Sequence, residues 1–169
     1  MFGKLLDAIR GGRSVYLVVY HREVSAREGP AHWAIWIPHR NAAEFGKLIH
    51  VVGDTRVMGF RVQFRHHAQV TFTDRRYDLI LLDDDVSSRL IVDKPQYEVR
   101  EPSYTEKRQQ PVDDMERYAL AIPAPPLTPD GGTFAGDCQT WIWQVVTSLV
   151  DNGVLKQSAL AALEDVSTV

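Results

Sequence analysis

The chain has 169 residues, with 19 basic and 22 acidic side chains and a formal net charge of −3; a chain of this size can bury roughly two-thirds of the surface its unfolded form exposes and reads as one domain, 1–169. The two signs of charge are intermixed with no basic stripe, which excludes the usual footprint of a nucleic-acid binder, and no apolar run reaches the roughly 20 residues of a membrane-spanning helix. The single cysteine, Cys138, cannot form an intramolecular disulfide, and the start Met1 to Asp7 has no long apolar core, so a soluble protein of the reducing cytoplasm, without a signal peptide, is expected.

In chain order, residues 3 to 10 predict two turns of helix, with Leu5, Leu6 and Ile9 on one side and Gly11-Gly12 as the stop. Ser14 to Tyr20 is β-branched, aromatic and almost wholly apolar, the pattern of a strand inside a sheet. After a polar loop from His21 to Pro30, Ala31 to Pro38 alternates, with His32, Ala34 and Trp36 on one face and Trp33, Ile35 and Ile37 on the other. Pro38 to Phe45 reads as a turn region and Lys47 to Val52 as a third strand, closed by Gly53-Asp54. Two half-solvated strands are predicted next, Gly59 to Phe64 and Ala68 to Thr73, and a further apolar one from Tyr77 to Leu82. Short strands in succession, about five or six of them, predict an antiparallel sheet and an α+β fold.

The region from about 94 to 133 is charged and broken by prolines, and reads as a polar, proline-rich insertion. It is also the stretch best suited to docking a protein partner. Met115 to Ile122 within it fits a short helix or an edge strand. A helix is predicted from Asp137 to Asp151, with Cys138, Ile142, Val145, Val146 and Leu149 on one stripe and Asn152-Gly153 as its left-handed cap. Ser158 to Asp165 predicts a last amphipathic helix packed on the body.

Cys138 is the first candidate for chemistry. A thiol in the first turn of a helix lies at the positive end of the backbone dipole, among amide N–H groups without intrahelical partners, and both favour the thiolate. Of six histidines, His32 and His50 alone are embedded in apolar strands, where an imidazole must find a polar partner. His21, His39, His66 and His67 stand in polar or turn contexts and are expected at the surface. No CxxC or HxxxH spacing supports a metal site, and no cofactor motif is present.

The run His32-Trp33-Ala34-Ile35-Trp36-Ile37, followed by Leu48-Ile49-His50-Val51-Val52, resembles the HWAIY…VIH segment of the lecithin retinol acyltransferase-like family. That family includes the HRAS-like suppressor phospholipase/acyltransferases and is a circularly permuted relative of the NlpC/P60 papain-like hydrolases. Asp137-Cys138-Gln139 stands where the family has Asn-Cys-Glu at a helix start. The resemblance covers these three segments and their order. It implies a permuted papain-like fold, with the cysteine helix packed on the sheet, in which Cys138 is the nucleophile, His32 its base and His50 the residue that orients His32. Asp137, Gln139, Trp33 and Trp36, next to these residues, become candidates for the oxyanion and substrate lining.

Three departures from the family carry expectations of their own. Asp137 either caps the helix or, as a charge beside the thiol, raises its pKa. The wider spacing of His32 and His50 suggests a longer hairpin loop, and the hydrophobic C-terminal anchor of many lipid-modifying members is missing. The expected activity is hydrolysis or acyl transfer on a small-molecule, lipid or peptide ester, amide or thioester. Alternatives are a small-molecule cyclase or isomerase using the His pair as general acid and base, and a non-catalytic binding module on the same fold.

Overall fold

Alternation of buried and solvated side chains along the first half of the chain produces one antiparallel sheet. Its strands are β1 (Arg13–Tyr20), β2 (His32–His39), β3 (Ala42–Asp54), β4 (Gly59–Ala68) and β5 (Tyr77–Val86), in the order β4-β3-β2-β1-β5. Three helices follow among the described residues: α1 (Asp114–Ala121), α2 (Cys138–Asp151) and α3 (Ser158–Ser167). The computed structural model describes residues 11–21, 31–54, 59–94, 110–126 and 136–167. The helix expected over 3–10, most of the loop from His21 to Pro30 and much of the 94–133 insertion lie outside them. The fold is α+β with an antiparallel sheet, as the hydrophobic pattern predicts, and no helix is long and apolar enough to cross a membrane among the described residues.

The period of two splits the sheet into two differently covered faces. Leu17, Val19, Trp33, Ile35, Ile37, Ile49, Val51 and Phe64 face the helices and join Cys138, Trp141, Ile142, Val145, Val146 and Leu149 in the main core. The other face holds a smaller cluster of Val18, Ala34, Trp36, Leu48, Ala68 and Val70, with Tyr16, Tyr20 and Tyr77 packed on it. Helix α2 lies on β2 and β3, and α3 on α2 and β5. The stripe predicted for α2 is the one that is buried. Gly153, with φ +69°, follows the helix in the left-handed conformation, open to an L residue only with strain. The Trp141 indole N–H donates to Ile122 O at 3.0 Å and ties α2 to the end of α1.

Several expectations are corrected. The stretch from Ala68 to Thr73 is not a strand: β4 runs unbroken through Gly59–Ala68 and then turns, leaving Phe72 almost wholly exposed. The spacing of His32 and His50 lengthens strands, not a loop, because β2 and β3 meet at a tight turn with His39 opposite Ala42. Met115 to Ala121 is helical, and Ile122 is the extended residue that ends the helix. Its capping residue Asp113 accepts from Glu116 N and Val92 N, each at 2.9 Å, and is paired with Lys47. Glu116 accepts from Val112 N at 2.8 Å and pairs with Lys47 at 2.9 Å and His66 at 2.8 Å. This buried cluster ties the start of α1 to β3 and β4. His39 is likewise buried, with Asp93, which also binds Arg13 at 2.7 Å, at 3.2 Å.

Candidate active site

The candidate residues gather at the start of β2. Tyr20 pairs with His32 across β1 and β2, and their rings stack with centroids 6.0 Å apart on the face away from the helices. His50 shares that face from β3, and Gln63 lies opposite it on β4. The side chains make a relay: His32 Nε2 is 2.9 Å from His50 Nδ1, and His50 Nε2 is 2.8 Å from Gln63 Oε1.

The chemistry of the last member orders the relay. An amide oxygen only accepts, so His50 donates through Nε2 and its Nδ1 carries a lone pair. His32 then donates through Nε2, and the lone pair of neutral His32 sits on Nδ1. Burial, followed by the neighbouring His32, pushes His50 down to about 3, so it stays uncharged at neutral pH. Gln63 was not singled out from sequence. The signal that finds it is register, because only the β3–β4 pairing sets His50 opposite that one amide.

Cys138 meets the same end of β2 from the helix side. The β2–β3 pairing runs from His39↔Ala42 to Ile35↔Ile49, while β3 continues beside β4 to Asp54. Beyond that point the first turn of α2 satisfies the β2 backbone instead. Ala31 O accepts from Cys138 Sγ at 3.8 Å and from Gln139 Nε2 at 3.0 Å, and Trp33 N–H is directed at the sulfur. The sulfur thus lies against the backbone on both sides of His32. Its hydrogen bond goes to Ala31 O and to neither imidazole among the described residues.

Asp137 both caps the helix and acts on the thiol. Its carboxylate accepts from Gln139 N at 2.9 Å and Thr140 N at 3.0 Å, the expected N-cap bonds. Gly136 before it has φ +99° and carries the chain into the cap. Burial pushes the Cys138 thiol up, Trp33 N–H pulls it down, Asp137 pushes it up, and the N–H groups of Cys138 and Gln139 pull it down. The sum is a raised thiol. The N–H groups at the helix end do pull the thiol down, but desolvation outweighs them, since the residue is only 6 % exposed.

Of the remaining candidates, Trp33 is in the main core beside Cys138 and Trp36 in the cluster on the opposite face, and neither ring is exposed. Above the histidine pair is an open cleft of about 200 Å³ lined by Tyr20, His32, His50, Arg65, Phe72 and Arg75, among others. No cluster of His, Cys, Asp and Glu suited to a metal ion occurs among the described residues. No curated protein and no solved structure matches the chain. A family model does match, over residues 15–156, and the chain belongs to that family, the family of unknown function DUF6540.

Proposed function

We propose that the chain is a cysteine-nucleophile hydrolase or acyltransferase of permuted papain-like fold, with Cys138, His32 and His50 as its catalytic constellation. The observation that carries this reading is the direction of the relay: the amide oxygen of Gln63 orders His50, and His50 in turn accepts from Nε2 of His32, which fixes the tautomer of the proposed base. The sulfur packs on the two residues that flank this base. Because the thiol is raised at rest, the proton leaves during attack instead of beforehand. Sγ bonds to the carbonyl carbon of an ester, amide or thioester as His32 takes the thiol proton. That proton passes to the departing alcohol, amine or thiol as its bond to the acyl carbon breaks. Water, or an acceptor alcohol or amine, then attacks the thioester and releases Cys138. A backbone N–H at the start of α2 is suited to the developing oxyanion. A lone thiol fits a reducing compartment, the cytoplasm.

Hydrolysis of p-nitrophenyl acetate tests this without knowledge of the natural substrate. Cys138→Ala is expected to abolish turnover, and His32→Gln to lower it by roughly 10²–10⁴-fold, the usual contribution of a general base. Turnover that survives both changes contradicts the proposal. A second reading, cyclisation or isomerisation of a small molecule by the His pair as general acid and base, is favoured by one observation: the cleft is lined by both imidazoles and not by Cys138. It predicts that Cys138→Ala keeps the natural activity while His32→Gln loses it.

A further inference from the structure

The cleft on the helix-free face has a chemical bias that neither the fold nor the histidine relay requires. Arg65 enters from β4, opposite Leu48 and on the face of His50, and Arg75 from the turn that follows β4. Tyr20, Gln69 and Thr73 add hydroxyl and amide groups, and the lining contains no acidic side chain among the described residues. The floor is made by two imidazoles. His50 is uncharged, and the cleft carries two guanidinium groups, planar forks matched to the oxygens of a carboxylate or phosphate. Leu48 and Ala68 make an apolar wall, and the exposed Phe72 stands at the rim. The volume, about 200 Å³, is that of a small molecule or of one end of a larger one.

We infer that this cleft binds an oxyanion group, a carboxylate or a phosphate, on the substrate of the reaction proposed above, with Arg65 and Arg75 as its cationic clamp and the apolar wall holding the adjoining carbon skeleton. The inference rests on that proposal only in taking the cleft over the His pair as the substrate's place. The anion sits at the arginine end and directs the rest of the molecule toward His32. An anionic substrate would also be drawn to the cleft across solution by the same two charges, an attraction that weakens as salt is added.

The test is a titration of the full chain, labelled at histidine, with inorganic phosphate and with acetate, each set against sodium chloride at equal ionic strength and followed by NMR of the His32 and His50 ring C–H groups. Saturable shifts with phosphate alone identify a phosphate-bearing substrate. Shifts with acetate as well show a site that accepts either oxyanion. Either result supports the cleft, provided Arg75→Gln and Arg65→Gln each weaken binding by about tenfold or more, as loss of a charged hydrogen bond predicts, and Arg65→Lys recovers part of it. Arg75 is exposed on a turn, so its variant keeps the test valid even where Arg65→Gln perturbs the sheet. Shifts no larger than those with chloride, or binding undiminished in both glutamine variants, overturn the inference. The same titration on Cys138→Ala separates the two claims: retained anion binding supports the cleft whatever becomes of the acyl chemistry, and its loss contradicts a site that does not include Cys138.

Discussion

Lys47 and His50 stand three residues apart on β3 and are both buried, yet their surroundings treat charge in opposite ways. Lys47 faces the helices, where Asp113 and Glu116 close around it. Burial pushes the Glu116 carboxyl up, but His66 and Lys47 more than reverse this and hold it below the usual range. His50 faces the other side among His32, Gln63 and Tyr20, with no carboxylate partner in its hydrogen bonds, and burial keeps it neutral. Cys138, in the core on the helix side of the sheet and outside this hydrogen-bonded chain, is likewise pushed toward its neutral form by burial. One assembly fixes charges to hold α1 in place. The other keeps its groups neutral and hydrogen-bonded in sequence, the state from which a proton can move. The difference lies in whether opposite charge accompanies burial.

The largest expected effect comes from breaking the charged assembly. Lys47→Met leaves two buried carboxylates without their lysine and is expected to cost about 3–5 kcal/mol of stability, read by urea or thermal unfolding. A loss below about 1 kcal/mol would mean that water or His66 replaces the lysine, and that the contrast between the two assemblies is overstated.

The neutral assembly has its own signature in acid. The unfolded chain protonates His50 below about pH 6.5, whereas the folded chain resists until about 3. The unfolded state therefore binds the extra proton, and stability falls as pH drops through that window, by about 1.4 kcal/mol per pH unit. Glu116, whose folded pKa is lowered, adds its own loss only below the normal carboxylate range. Between about pH 6.5 and 4.5 the His50 contribution is therefore separate from that of Glu116. Unfolding curves for His50→Gln should be flatter there than for the parent chain; an equal slope would contradict a buried neutral imidazole.

The smallest effects separate the two roles of Asp137. Asp137→Asn keeps the cap and removes a charge that pushes the thiol up, so stability should stay within about 0.5 kcal/mol while the pH midpoint of iodoacetamide alkylation moves down. Asp137→Ala should also lower the midpoint but cost about 1 kcal/mol through loss of the cap. An unmoved midpoint in both variants would remove Asp137 from the thiol's electrostatics.

Where the sequence is legible, the signal is local. The α2 stripe, its Asp137 cap and the Gly153 end follow from helical periodicity and backbone chemistry, and His32 and His50 stand out because each interrupts an apolar strand. Where it is not, the cause is distant in the chain. His39 reads as a turn residue, but Asp93, far along the sequence, buries it. Met115 to Ile122 is ambiguous until Lys47 supplies the partner for the residues that start the helix. Gln63 is one of several alternating polar residues until register sets it against His50. The run from Ala68 to Thr73 alternates like a strand, but alternation records exposure and not pairing, and Thr73 Oγ1 instead accepts from Arg75 N in a turn. The pKa of Cys138 required three-dimensional burial, which no helix-end rule contains.

The most direct test of the central claim is to treat the full chain with p-nitrophenyl acetate, quench early and locate the acetyl group by peptide mass spectrometry. The account predicts one acyl thioester on Cys138, formed roughly 10²–10⁴-fold more slowly in His32→Gln. Acetylation of Cys138 at the same rate in that variant, or an adduct only on other residues, would contradict it.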